Sequence, residues 1–170
     1  MKRAIHLFPE FPQSELVQEL RQKYDPLYAF IPPHITLVFP FKSEIATADL
    51  HLHVQTALAD VQPFRIRLAE ITATWDHHLF LLVKEGNDSI IDLHDKLYSG
   101  LLSIYKSRRH PFLPHLTVGR LVNDQEVEAA LHHTRHFTSV FETTVSQVVA
   151  EVIQEDGASE LEFVVPFPNQ

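Results

Sequence analysis

The sequence has 170 residues, 45% of them hydrophobic and 21% charged, which suffices for one globular domain and excludes a disordered or collagen-like chain. It has no cysteine, which excludes disulfides, thiol catalysis and iron–sulfur clusters and makes a cytoplasmic setting our expectation. Asp and Glu number 22 against 14 Lys and Arg, a formal charge of -8, so we expect no general affinity for long nucleic acid. The apolar runs are strand-sized, so neither a secretion signal nor a membrane span of roughly 20 residues is expected.

Hydrophobic periodicity predicts alternating strands and helices along the first part of the chain. In order, we expect a strand over residues 3–8, a helix ending at Asp25-Pro26, a strand over 34–39, a helix over 47–61, strands over 64–74 and 78–83, and a helix over 88–105. Asp76-His77 is the expected turn between the paired strands.

The remaining sequence repeats this order. We expect a strand over residues 114–121, a helix over 124–134, and strands over 145–154 and 161–166 with a turn at Asp156-Gly157. The chain therefore reads as two similar halves, each with a Pro-His strand, a following helix and a β-hairpin. No Gly- or Ser-rich linker separates them.

One short motif occurs in both halves. Pro33-His34-Ile35-Thr36-Leu37 is matched by Pro114-His115-Leu116-Thr117-Val118, and the two histidines are 115 − 34 = 81 positions apart. At this composition, roughly 0.05 copies of His-aliphatic-Thr-aliphatic are expected by chance, which marks the pair as an internal repeat.

Strand geometry gives the motif two faces. Side chains alternate with period two, so His34 and Thr36 share one face and Ile35, Leu37 and Phe39 the other. A single motif of this kind is typical of a half-exposed strand whose polar face meets water. Two matched copies favour a cleft on which both polar faces converge.

These residues resemble the tandem His-x-Thr-x pattern of the 2H phosphoesterases, the superfamily of 2'-5' RNA ligase-like proteins and cyclic nucleotide phosphodiesterases. The chain is most similar to a bacterial branch with Tyr-Asp-Pro before the first motif, here Tyr24-Asp25-Pro26. The resemblance implies an α+β, bilobal fold in which two antiparallel sheets with flanking helices are related by a pseudo-twofold around a central cleft. It implies a single domain over residues 1–170, made of two intertwined lobes.

The resemblance also implies substrates that are 2',3'-cyclic or 2'-5' linked phosphodiesters of nucleotides or RNA ends. Two histidines, whose unperturbed pKa is about 6.5, suit that chemistry near neutral pH, because one can accept a proton while the other donates one. We therefore predict His34 and His115 as the acid–base pair and Thr36 and Thr117 as phosphate ligands. Which histidine is the base stays open, as do the direction of the reaction and the oligomeric state.

Arg120 is a further candidate phosphate ligand. Strict alternation places it opposite His115 unless the strand bulges at Gly119. Other candidates for contact with a nucleotide precede the motifs, and each fits a solvated loop or core packing as well; they are Lys106, Arg108, Arg109, Tyr28, Phe30 and Phe112.

We expect no cofactor and no metal. His132 and His136 have the i,i+4 spacing of a chelating pair but lack a third ligand in the sequence. His6 is expected to border the cleft, with no motif behind it. The alternative to an enzyme is a non-catalytic module that binds a nucleotide or phosphate in the same cleft, although binding alone needs no acid–base pair.

Overall fold

The computed structural model describes residues 1–109 and 111–168 and contains two four-stranded antiparallel sheets with helices packed on them. The strands are β1 Lys2–Leu7, β2 Ile35–Lys42, β3 Phe64–Ala73, β4 His78–Glu85, β5 His115–Arg120, β6 Phe141–Val145, β7 Gln147–Ile153 and β8 Ser159–Pro166. The helices are α1 Ser14–Tyr24, α2 Thr47–Ala57, α3 Asn87–Leu97 and α4 Asp124–Thr134, with a 3-10 helix over Gly100–Tyr105.

The two sheets have equivalent strand orders, β2-β1-β7-β8 and β5-β4-β3-β6. Each motif strand, β2 or β5, is the edge strand of its sheet, and the two approach one another. The hairpins are exchanged, because β3–β4 joins the sheet of the second motif and β7–β8 joins that of the first. This α+β arrangement confirms the fold class predicted from the sequence.

The central strand β1 is buried along almost its whole length, including its polar residues Arg3 and His6. Residues 3–7 are all buried, because β1 has a strand on each side and both of its faces are covered. The helices contribute stripes of apolar residues to the same core, for example Val17 and Leu20 of α1.

The structure differs from the predicted elements at two places. The helix expected over residues 88–105 stops at Leu97, and the 3-10 helix begins at Gly100, whose φ of 46° lies in the left-handed region. The strand expected over 145–154 corresponds to β7, and a strand that was not predicted, β6, precedes it; Ser146 separates the two where the chain passes from one sheet to the other.

In the part of the chain that the structure describes, no helix is long and apolar enough to cross a membrane.

Candidate active site

A cleft of about 610 Å³ brings together all the site residues predicted from the two motifs. His34 and Thr36 reach it from the first sheet, and His115, Thr117 and Arg120 reach it from the second. Most of its other lining residues are apolar, among them Leu27, Ile31, Phe39, Trp75, Phe80, Leu113 and Ile153.

The two histidines are anchored in the same way. His34 Nδ1 lies 2.8 Å from the carbonyl oxygen of Pro32, and His115 Nδ1 lies 2.6 Å from that of Leu113. A carbonyl oxygen only accepts hydrogen bonds, so Nδ1 carries the hydrogen in both rings. In the neutral ring, Nε2 then keeps its lone pair and is available to exchange a proton with a ligand.

Burial shifts the proton affinity of both rings. It lowers the pKa of His34 and of His115 from 6.5 to about 4, although the hydrogen bond of each to a carbonyl oxygen opposes the shift. The positive charge of Arg120 lowers both values further. Both pKa values thus lie below the unperturbed value of about 6.5, and the sequence does not reveal this difference, because it does not show how deeply each ring lies in the cleft.

The first motif strand contains a β-bulge directly after its threonine. Thr36 is opposite His6 on β1, but Ile5, the residue before His6, is opposite Val38. Leu37 is thus the extra residue, and Leu37 and Val38 are buried in succession.

The second motif strand bulges at the same point. Thr117 is opposite Phe80 on β4, whereas Leu79 is opposite Gly119. Val118 is the extra residue here, and Val118 and Gly119 are both buried. The bulge that Arg120 requires in order to share a face with His115 is therefore present.

The twin bulges bring the third residue after each motif threonine to the cleft. On β5 this residue is Arg120, and on β2 it is Phe39, which is 46% exposed. The prediction that Phe39 points into the core with Ile35 and Leu37 is wrong, because the extra residue reverses the alternation.

Three polar side chains of the cleft have few partners in the part of the protein that the structure describes. Neither threonine hydroxyl, of Thr36 or of Thr117, makes a hydrogen bond to the residues that the structure describes. The Arg120 side chain is 26% exposed, and its Nη1 donates to Asp25 Oδ1, whereas Nε and Nη2 have no partner in the described chain. These donors are free to bind an anion.

His6 also lines the cleft, as expected, but its surroundings were not predicted. It is 3% exposed, and its ring meets that of His34 edge-on with centroids 4.6 Å apart. Its Nε2 lies 3.7 Å from Glu151 Oε2, and burial lowers the pKa of His6 and raises that of Glu151. No sequence signal identifies this pair, because the two residues are 145 positions apart (151 − 6).

The apolar rim is the other feature that sequence reasoning missed. Trp75, in the β3–β4 turn, is 80% exposed, and Leu113 is 49% exposed. Both border the cleft. An aromatic residue in a tight turn was the only signal available in the sequence.

The remaining candidates lie elsewhere. None of Lys106, Arg108, Arg109, Tyr28, Phe30 and Phe112 lines the cleft. Phe112 stacks on His94 with centroids 3.8 Å apart. His132 and His136 both bond to Arg135, and the described residues contain no group of three His, Asp or Glu side chains arranged to hold a metal.

The sequence has clear relatives. The family model of the 2'-5' RNA ligase superfamily matches residues 8–157. A Bacillus licheniformis protein, whose name describes it as a candidate phosphoesterase, is 31% identical over 128 residues, which cover 74% of this chain and 75% of the relative. A Geobacillus protein with the same kind of name is 31% identical over 150 residues, covering 86% and 85%.

Solved structures share the fold over nearly the whole chain. A Thermus thermophilus protein aligns with a TM-score of 0.66 at 15% identity and covers 98% of both chains. E. coli LigT complexed with 3'-AMP aligns with a TM-score of 0.60 at 15% identity, covering 99% of this chain and 100% of LigT. With the doubled motif in one cleft and the family match over most of its length, the chain belongs to the 2'-5' RNA ligase superfamily of 2H phosphoesterases.

Proposed function

We propose that the protein is a metal-independent phosphoesterase that opens 2',3'-cyclic phosphates or cleaves 2'-5' linkages of nucleotides and RNA ends. His34 and His115 act as general acid and base, and Thr36, Thr117 and Arg120 hold the phosphate. The observation that carries this proposal is the matched anchoring of His34 and His115, each with Nδ1 on a backbone carbonyl and Nε2 left free in one cleft.

The chemistry needs these groups together. Hydrolysis of a cyclic phosphodiester requires one group to take a proton from water and another to protonate the departing alkoxide on the far side of phosphorus. Negative charge grows on the non-bridging oxygens as this happens. Two hydroxyl groups and a guanidinium are suitable donors for those oxygens.

The size and lining of the cleft support a small nucleotide as the substrate. About 610 Å³ is within the usual range for a small-ligand site, and its apolar rim offers surface to a base and ribose. E. coli LigT, which has the same fold, has been crystallised with 3'-AMP, ATP and NADP+. The chain's negative charge also argues for a compact substrate over a long duplex.

A substrate screen with matched histidine variants tests the proposal. The parent protein should turn over at least one member of a panel of 2',3'-cyclic nucleotides and 2'-5' linked dinucleotides. His34→Ala and His115→Ala should each lose about 100-fold or more in kcat, the usual scale for a general acid or base. His132→Ala, which changes an exposed histidine outside the cleft, is the control and should keep full activity.

Binding can be measured separately from turnover. Trp75 is the only tryptophan and borders the cleft, so its fluorescence should report nucleotide binding in the parent and in both histidine variants. If nucleotides bind but none is turned over by the parent, the non-catalytic binding module is the better account.

A further inference from the structure

We propose that Asp25 is the positioning residue for Arg120, and that Arg21 keeps the charge of Arg120 available to the substrate phosphate. This inference rests on the proposed function, because it takes a phosphate as the ligand of Arg120. It gives the Tyr24-Asp25-Pro26 segment a role in the reaction, although this segment contributes no residue to the cleft lining.

Asp25 is buried, and both of its carboxylate oxygens accept hydrogen bonds. Its side chain is 1% exposed, and it accepts hydrogen bonds from Arg21 Nε at 3.0 Å, from the Leu27 backbone N–H at 3.1 Å, and from Arg120 Nη1. Asp25 does not line the cleft, so its contact with a bound phosphate is made through Arg120, although its charge also raises the pKa of His34. The contact fixes one corner of the guanidinium and leaves Nε and Nη2 toward the ligand.

Arg21 offsets the negative charge of Asp25, so that a net positive charge remains beside the cleft. Its side chain is completely buried, and its Nη2 donates to the carbonyl oxygen of Ile31 at 2.8 Å. Arg21, Asp25 and Arg120 together carry a net charge of about +1 (two guanidiniums and one carboxylate). Without Arg21, the carboxylate would neutralise Arg120 and repel a phosphate; with Arg21, Asp25 holds Arg120 and one positive charge remains.

The glycine at the second bulge makes this contact possible across the two halves of the chain. A Cβ atom at Gly119 would lie 3.0 Å from the Cβ of Tyr24, so a side chain there would push the end of α1 away from β5. Asp25 follows Tyr24 directly, and Arg120 follows Gly119 directly. The close approach of these two backbones therefore sets the distance between carboxylate and guanidinium.

A double-mutant cycle on the full chain separates positioning from structure. Asp25→Asn keeps an oxygen acceptor but removes the charge, and it should lower kcat/KM by about tenfold, the scale of one charge-assisted hydrogen bond. Arg120→Gln should lower it further. The double variant should match Arg120→Gln within about twofold when each protein is compared at the maximum of its own pH profile, which removes the direct effect of the Asp25 charge on the pKa of His34. Additive losses of kcat/KM in the double variant would overturn the inference. Tighter substrate binding by Asp25→Asn would also overturn it, because that result is expected if the Asp25 carboxylate only repels the phosphate.

The role of Arg21 has its own test. Arg21→Met should raise KM by about tenfold, because Asp25 then neutralises Arg120. Arg3→Met is the matched control, since Arg3 is equally buried and pairs with Glu162 at 2.8 Å outside the cleft. Both variants should lose thermal stability, but only Arg21→Met should change KM. An unchanged KM in Arg21→Met would refute this part, and should that variant not fold, the cycle above still decides the role of Asp25.

Failure of the inference is distinguishable from failure of the proposed function. A parent that turns over no phosphodiester but binds 3'-AMP fails as an enzyme, and the cycle is then run on the Kd measured with Trp75 fluorescence. Non-additivity of the Asp25 and Arg120 variants in Kd would still support the inference. A parent that neither binds nor turns over a nucleotide would overturn both.

Discussion

Phe80 lies face to face with His115, with ring centroids 3.5 Å apart and planes inclined by 13°. The equivalent position in the other sheet is His6, because His6 is opposite Thr36 as Phe80 is opposite Thr117. His6 meets His34 at 4.6 Å and 66°. The two motif histidines thus share their anchoring but differ in the ring beside them.

Replacing Phe80 tests what this stacking does for His115. Phe80→Leu keeps most of the apolar volume but removes the flat surface that fixes the plane of the imidazole. A contact of this kind contributes about 0.5–1.5 kcal/mol, so kcat should fall up to about tenfold with little change in KM. Phe64→Leu, which breaks the stacking of Phe64 on Phe167 outside the cleft, should leave kcat unchanged. Equal effects of the two variants on kcat would contradict this prediction.

The pH dependence of activity follows from the buried histidines. Their pKa values of about 4 make the form with one neutral and one protonated ring most abundant at acid pH in the free protein. The profile of kcat/KM, which reports the free enzyme, should therefore be bell-shaped with its maximum below neutrality, falling about tenfold per pH unit on the alkaline side. The two limbs of this profile report apparent pKa values of the coupled pair of histidines, not of either residue alone.

Arg120→Gln should move the alkaline limb to higher pH, because the charge of Arg120 lowers the pKa of both His34 and His115. The Arg3→Met protein serves as the comparison. A maximum at pH 6.5 or above in the parent would contradict the lowered pKa values of His34 and His115 in the free protein.

The threonine hydroxyls should act mainly in the transition state. Thr36→Val and Thr117→Val keep the side-chain shape and remove one donor each, so kcat should fall by about 10- to 100-fold while KM changes little. Thr56→Val is a control on α2, where the hydroxyl donates to the carbonyl of Leu52 outside the cleft. A rise in KM at constant kcat would instead indicate ground-state binding of the phosphate.

The same histidines make folding stability depend on pH. In the folded protein the pKa of His34 and His115 is about 4, and in the unfolded chain it returns to about 6.5. Between these values the unfolded chain binds more protons, so the free energy of unfolding should fall as pH decreases from about 6.5 to about 4. Above about pH 6.5 and below about pH 4, these two histidines should not change the free energy of unfolding with pH.

Urea denaturation at several pH values measures this slope. His34→Gln should make the slope shallower, since it removes one of the groups whose protonation favours the unfolded chain. His132→Gln, at an exposed position, should leave it as in the parent. Identical slopes for all three proteins would contradict the prediction.

Chelation tests the proposed absence of metal from the reaction. Every proton transfer and every phosphate contact in the proposed chemistry is assigned to a side chain, so EDTA should leave kcat/KM unchanged. Adding Mg²⁺ or Mn²⁺ after dialysis should not raise it. Loss of activity on chelation, with recovery on adding a divalent ion, would replace the acid–base scheme with a metal-assisted one.

The site could be predicted from sequence where its residues are close together in the chain. A four-residue motif that occurs twice identifies His34, Thr36, His115 and Thr117, and strand alternation places each His with its Thr. The orientation of Phe39 could not be predicted, because a bulge depends on how β2 pairs with β1. Alternation alone leaves Arg120 on the wrong face for the same reason.

Contacts between segments that are distant in the chain could not be predicted from the sequence. Asp25 and Arg120 are 95 positions apart, and nothing in either local pattern indicates that a helix end and a strand end meet. The pKa values of the histidines depend likewise on burial by both sheets. The chain changes sheets at Ser146, and no turn residue in the sequence marks that point, because Gly and Pro are absent from residues 141–154.

The cleft is built from two similar strands, but the residues that follow the two bulges make its two sides different. Both bulges deliver a side chain to the same relative place, yet Phe39 is an apolar ring and Arg120 a cation. A substrate whose phosphate lies toward Arg120 would leave its less polar part toward Phe39, and the reversed orientation would bury charge against the ring. Exchanging these two residues, as Phe39→Arg with Arg120→Phe, would therefore be expected to invert which ester bond of an asymmetric diester meets each histidine.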